Sequence, residues 1–394
     1  MNIAINCLRL DPEYVGGLNT YTLGLLQGFA EVANRHSFHL YCTTRNRVLL
    51  RKFEGHRRFT VHPMNHSAFR FRQRTTRAAL LSTSSQVYRH VSDRMFRDVR
   101  NQMDFQADLI YTPTDLLQAF DSRKPTVLTV HDLQHLHYPQ FFSWSRRLSR
   151  KITYSLSARA ATHLQTSSNF VRQDLLQQFP GLPPEKICII PEGVDVPAFS
   201  APRDSRHLVA RYNLPDRFLF YPAQLWPHKN HLTVLRALKQ IEETGDFKIP
   251  LILTGAQFAA APAVFRFIRE HQMPYVLYLG KVPFADLVGL YQRADFLLTA
   301  SLFESSSLTI LESAAAGTPI IASNIPPNQE QAQTLQLNLF SPDDPGDLAQ
   351  TILRLWNHPA LARAQAAHNR EAVQQFSWHA AAAKFLQLFE SIAA

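Results

Sequence analysis

Short apolar runs recur along the chain, separated by stretches whose apolar residues return every three or four positions. In the first half the runs are 3–6, 38–42, 109–111, 127–130, 163–166 and 187–190. In the second half they are 218–221, 251–254, 276–279, 296–299 and 320–322. These runs are continuous rather than alternating, the pattern of parallel strands covered on both faces. Helical patterns at 18–33, 232–241 and 285–292 separate them. Two successive series of strand, helix and strand predict an α/β chain with two doubly wound, Rossmann-like domains. Pro191, Gly193, Pro197 and Pro202 punctuate the stretch between the series, as a domain break does. The expected division is 1–197, 198–375 and an Ala-rich terminal helix within 376–394.

Composition narrows the class. A length of 394 residues suits two or three domains. With 45% apolar and 18% charged residues, the chain is not largely disordered. Cys7, Cys42 and Cys188 are odd in number and widely spaced. That argues against a disulfide framework or a cysteine zinc site and suits the cytosol. The first residues lack a basic segment followed by an apolar one, and no run of about 18 apolar residues occurs. The expectation is a cytoplasmic protein.

The charge is unevenly spread. Residues 1–200 hold 25 basic and 15 acidic residues, and 201–394 hold 16 of each, so the whole excess of +10 lies in the first half. Within 45–100 there are 14 basic residues opposed by Glu54, Asp93 and Asp98. Arg146, Arg147, Arg150 and Lys151 form a second cluster. Such a field attracts phosphate on a nucleic acid or an anionic membrane, or it is a solvated face. Val87, Val91, Met95 and Val99 are spaced as one helical stripe among these charges. The expectation drawn from this segment is a peripheral contact with the inner face of a membrane.

Ligands of open parallel sheets bind beyond the carboxyl ends of the strands, here in a cleft expected between the domains. Gly16-Gly17 follows the first strand and opens a helix. It reads as a tight turn or as a backbone approach to an anion; the three-glycine dinucleotide fingerprint is absent. His131-Asp132 ends another strand. His131 is either satisfied by backbone or placed to meet a substrate hydroxyl. His135 and His137 follow, without the acidic or cysteine partners of a zinc site. Lys229 sits at the expected start of the helix after run 218–221, a place for pyrophosphate. Glu304 and Glu312 flank a serine loop. The N–H groups of Ser307, Leu308 and Thr309 are candidates for phosphate, and the glutamates for sugar hydroxyls. Thr309 and Glu312 also fit a capping box, whereas Glu304 has no such structural role.

Taken in order, these residues resemble a family-four retaining glycosyltransferase of the GT-B fold, also called glycosyl transferases group 1. The resemblance covers nearly the whole chain: Gly16-Gly17 with Tyr21, His131-Asp132, Thr166-Ser167, Pro191-Glu192-Gly193-Val194-Asp195, Pro227-His228-Lys229-Asn230, and Glu304 with Glu312 before Gly317-Thr318-Pro319. It implies two Rossmann-like domains facing a central cleft, the terminal helix packing back on the first. It implies that Gly16 and Gly17 approach the diphosphate or the acceptor, His131 the transferred sugar, Lys229 the leaving diphosphate, Glu304 the sugar and Glu312 the ribose. Gln224 stands near where such enzymes often carry an arginine, and Ser307 where they carry a glycine. The implied reaction is retaining transfer of a mannosyl- or glucosyl-like group from a GDP- or UDP-sugar to a glycan or lipid-linked acceptor. No metal and no cofactor are implied. A nucleotide-sugar epimerase on the same fold is the alternative. A nucleic-acid-binding protein is a weaker one, because the basic segment carries no recognisable motif and the two glutamates would go unexplained.

Overall fold

The computed structural model describes the chain except residues 14–15, 33–34, 65–84, 119, 121, 205, 246 and 394. It divides into two compact units, Met1–Gly193 with Trp378–Ala394, and Val194–Ser377.

The first unit is built on β1 (Asn2–Asn6), β2 (Ser37–Thr43), β3 (Phe59–Met64), β4 (Leu109–Thr112), β5 (Thr126–Thr129), β6 (His163–Thr166) and β7 (Ile187–Ile189). Their order is β3-β2-β1-β4-β5-β6-β7, and every pairing is parallel. The second unit has β8 (Leu219–Pro222), β9 (Leu251–Thr254), β10 (Val276–Tyr278), β11 (Phe296–Thr299), β12 (Ile320–Ser323) and β13 (Asn338–Phe340). Their order is β10-β9-β8-β11-β12-β13, again all parallel. Both units are therefore doubly wound. Strand order reverses between β1 and β4 and between β8 and β11, the places where such sheets bind ligands.

The continuous runs arise because alternate residues enter opposite cores. Leu219 and Tyr221 pack with Val234 and Leu238 of the helix His231–Gly245. Phe218 and Phe220 pack with Val288 and Tyr291 of the helix Phe284–Arg293 on the other face. Two strands lack such runs, and both lie at sheet edges: β3, half exposed and carrying Pro63, and β13, only three residues long. An edge strand has a free side, so proline is tolerated and polar residues interrupt the pattern.

The helix Gly17–Val32 packs along the terminal helix Trp378–Ala393. Phe29 stacks on Phe38 at 4.8 Å and meets Phe385 and Phe389 at 6.2 and 6.0 Å. Beneath them Tyr21 carries a buried hydroxyl. It donates to Gln165 Oε1 at 3.0 Å and lies 3.0 Å from the Tyr111 hydroxyl. Thr129 Oγ1 donates to the same Gln165 oxygen at 2.8 Å, and Gln165 Nε2 to the Ile190 carbonyl at 2.8 Å. Buried polar groups left without a partner are costly. Tyr21→Phe is accordingly expected to lower stability by about 1–2 kcal/mol, read as a shift in the urea unfolding midpoint; an unchanged midpoint would show that the network contributes nothing.

The basic segment differs from the expected stripe. Its residues Arg70, Arg72, Arg74 and Arg77 lie outside the described residues. Beyond them the segment forms two helices, Ser85–Met95 and Arg97–Gln106, which meet at Phe96. The break changes the phase, so Val87 is 52% exposed whereas Val99 is 2% exposed. The buried side is instead Tyr88, Ser92, Phe96, Val99 and Met103. No helix of the described residues is long and apolar enough to cross a membrane.

Candidate active site

The β8/β11 switch point brings Lys229 and Glu304 together. After β8 the chain passes Pro227, which opens the 3-10 turn Pro227–Lys229. Asn230 then takes a left-handed conformation (φ 56°), and the helix begins only at His231. Lys229 therefore precedes the helix rather than starting it, because Asn230 breaks the helical path. Three contacts fix the turn: the Tyr221 hydroxyl donates to the Lys229 carbonyl at 2.5 Å, the Leu302 N–H donates to the His228 carbonyl at 2.8 Å, and Asn230 Nδ2 donates to the Pro342 carbonyl at 2.8 Å. Tyr221 had no assigned role in the sequence; its signal was a tyrosine at the end of an apolar run.

Lys229 Nζ forms an ion pair with Glu304 Oε1, the two side chains 22% and 16% exposed. Burial works against the Glu304 charge, but Lys229 and His228 beside it outweigh that, and its carboxyl stays below the ordinary value. His228 is pushed the other way, to about 4, by burial and by Lys229. It is thus neutral at physiological pH, and Lys229 is the cation of the turn.

Four residues beyond Glu304 begins the helix Leu308–Ala316, with Ser307 at its N-cap. Its first N–H groups, with Leu308 and Thr309 in the opening turn, lack partners within the helix and carry its partial positive charge. The Ser307 hydroxyl does not cap them; it donates to Asn328 Oδ1 at 2.6 Å. Thr309 lies inside the helix, so the capping box with Glu312 does not form. Glu312 instead accepts from the Tyr291 hydroxyl at 2.5 Å. Burial raises the Glu312 carboxyl to about 7, only partly offset by that hydrogen bond. The two glutamates thus have opposite environments, one paired with a cation and one facing only a neutral donor. Gln224 lies just beyond β8, where its Oε1 accepts from Trp226 Nε1 at 3.0 Å. Trp226 itself stacks on Phe258 at 3.9 Å.

The remaining candidates belong to the first unit. His131 follows β5; its N–H donates to Asp115 Oδ1 at 2.7 Å, and its Nε2 donates to the Pro113 carbonyl at 3.1 Å. In the neutral ring this leaves Nδ1 as the acceptor nitrogen. One ring nitrogen of His131 is thus satisfied by backbone. Gly16 and Gly17 open the helix after β1, and a Cβ at Gly17 would meet nothing within 4 Å. One turn on, the Tyr21 ring stands edge-on to His131 at 4.8 Å. That ring joins the glycine turn to the histidine.

A family model described as Glycosyltransferase Family 4 matches residues 15–197, and one described as Glycosyl transferases group 1 matches 216–358. The chain belongs to the family 4, group 1 glycosyltransferases. Among curated relatives of this glycosyltransferase, the O-antigen chain mannosyltransferase B of Escherichia coli is 24% identical over 64% of this chain and 66% of its own. The MMP alpha-(1->4)-mannosyltransferase of Mycolicibacterium hassiacum is 25% identical over 75% and 72%. The chain thus spans about two thirds of the length of these relatives. The Anabaena HepE structure in complex with UDP and glucose is 18% identical, covers 99% of this chain and 100% of its own, and has a TM-score of 0.76. At that identity the likeness establishes the GT-B fold, two parallel sheets with flanking helices.

Proposed function

We propose that this glycosyltransferase moves a hexosyl group, mannosyl- or glucosyl-like, from a GDP- or UDP-sugar to a glycan or lipid-linked acceptor, with retention and without a metal ion. The observation that carries the reading is the Lys229–Glu304 pair set before the helix Leu308–Ala316. The relatives named as mannosyltransferases and the HepE structure with UDP support the donor class. As the sugar–phosphate bond breaks, negative charge develops on the departing phosphate oxygen. Lys229 and the N–H groups of Ser307, Leu308 and Thr309 stabilise it. The acceptor oxygen bonds to the anomeric carbon on the same face, and its proton passes to the departing phosphate. In the second unit Glu304 holds the transferred sugar, Glu312 the ribose, and Gln224 adds a donor contact; in the first unit His131 is the candidate for a sugar contact, and Gly16 and Gly17 for the diphosphate or the acceptor. The enzyme works in the cytoplasm, against the anionic inner surface of a membrane.

The test is incubation with UDP- and GDP-linked glucose and mannose, with product configuration read by NMR and with chelator present. Transfer with an inverted anomer, epimerisation without transfer, or activity lost with chelator and restored by a divalent ion would each overturn part of the reading.

A pH dependence follows from Glu312. Accepting ribose hydroxyls requires the carboxylate, and burial holds this carboxyl up to about 7. Donor affinity is therefore expected to fall as pH drops through about 7. The Tyr291 hydrogen bond favours the ionised form, so Tyr291→Phe should move that limb to higher pH with little change in kcat. Glu312→Gln should abolish the limb. The donor KM measured from pH 5.5 to 9 checks both. The stability sign is opposite: a carboxyl raised from 4.5 to about 7 contributes fully below 4.5 and loses that contribution as pH rises through 7.

A further inference from the structure

The geometry points to the outer face of the helix Trp144–Ala160 as a docking surface for an anionic lipid bilayer, and this rests on the proposed transfer to a membrane-side acceptor. The helix has two unlike faces. Thr153, Tyr154, Ser157 and Ala158 are buried. Trp144, Arg147, Leu148 and Lys151, spaced as one stripe, point outward, with Trp144 70% and Leu148 38% exposed. Arg147 and Lys151 pair with no carboxylate among the described residues. From 141 to 173 the chain has no Asp or Glu, so the helix carries no acidic residue of its own; its Arg150 pairs with Asp132 on the other face. An exposed tryptophan beside an aliphatic residue and two free cations fits a headgroup layer. The ring and the leucine enter the acyl boundary while the cations meet phosphate. The helix Ser85–Met95 packs against this one and adds exposed Val87, Arg89 and Arg94.

The inner face gives the surface its purpose. The Arg150 guanidinium lies over Phe142 at 4.8 Å and reaches Asp132 at 3.9 Å, the residue after His131. The Tyr154 hydroxyl donates to Asp115 at 3.3 Å, and Asp115 accepts from the His131 N–H at 2.7 Å. One helix thus turns an aromatic and basic stripe outward and holds the His131-Asp132 strand end with two side chains of its other face. A bilayer seated on that stripe brings lipid-linked acceptors alongside the unit that carries His131.

The experiment is vesicle co-sedimentation of the full chain, with phosphatidylglycerol and phosphatidylcholine mixed, or with phosphatidylcholine alone. The wild type is expected to pellet with the anionic vesicles at low salt and to lose most of that binding at high salt. Each surface cation is worth roughly a fivefold factor, so Arg147→Gln with Lys151→Gln should weaken binding about twentyfold. Trp144→Ser with Leu148→Ser should weaken it at least about tenfold. Arg266→Gln with Arg269→Gln, exposed cations of the other unit, should bind as wild type. Of the four tryptophans, Trp144 is the one expected to shift its emission to the blue on binding, so Trp144→Phe should abolish the shift. Equal binding of wild type and the helix variants, an equal loss in the Arg266 and Arg269 control, or a shift that survives Trp144→Phe would overturn the assignment. So would negligible wild-type binding to both vesicles, which would favour a soluble acceptor or a protein partner. Titration with UDP and GDP in vesicle-free buffer tests nucleotide binding, and with it the donor reading, separately. Failure there would sink the donor reading and leave the vesicle result standing.

Discussion

Lys229→Ala is expected to lower kcat about a hundredfold, the loss that follows removal of one strong donor to a developing oxyanion. Two effects combine. The departing phosphate loses its cation, and burial, the larger cause of the low His228 value, still keeps that ring from taking its place. Glu304 also loses the partner that holds its carboxyl below the ordinary value against burial, so it drifts toward the protonated form. Because the two residues act as a unit, Glu304→Gln and Lys229→Ala should be less than additive when combined. Folding should suffer as well, by about 3 kcal/mol, because the pair is mostly buried and removing Lys229 leaves the Glu304 carboxyl without its cation. Steady-state rates at saturating donor, with thermal unfolding as the control, decide it. Wild-type turnover in Lys229→Ala would sink the site assignment.

The sequence showed the pieces of this pair but not their meeting. Lys229 and Glu304 are 75 residues apart, and only the reversal of strand order between β8 and β11 makes them neighbours. Central strands were readable because each alternates between two buried cores. The edge strands β3 and β13 were not, because β3 is interrupted by His62 and Pro63 on its half-exposed edge and β13 is three residues that open on Asn338. Local patterns failed where a tertiary partner or a change of phase overruled them. Thr309 and Glu312 have capping-box spacing, yet Ser307 occupies the N-cap and Glu312 turns to Tyr291. The four-residue spacing from Val87 to Val99 assumed an unbroken helix, and Phe96 interrupts it. His131 lies just past a strand end, as the sequence indicates, but its backbone partner Pro113 is supplied only by the fold.

Gly28→Ala should destabilise the first unit by about 2–3 kcal/mol, against the sign of helix propensity. Gly28 lies inside the helix Gly17–Val32, where alanine would ordinarily gain about 1 kcal/mol. A Cβ there would overlap the Trp378 carbonyl and stand 2.9 Å from the Ala382 Cβ. The obstruction is mainly backbone, so no side-chain rotation relieves it, and the two helices must part. Gly24 faces the Trp378 indole in the same way, so two glycines one turn apart let the helices meet. Gly17→Ala supplies the control, since its Cβ enters open space and its urea midpoint should not fall. The consequence reaches the candidate site. Trp378 stands edge-on to Tyr21 at 5.8 Å, and Tyr21 edge-on to His131 at 4.8 Å. Parting the helices should therefore loosen Tyr21 and lower kcat as well as the urea midpoint. Equal midpoints for Gly28→Ala and Gly17→Ala would show that the helices tolerate the added methyl, and that the terminal helix is not what holds Tyr21 against His131.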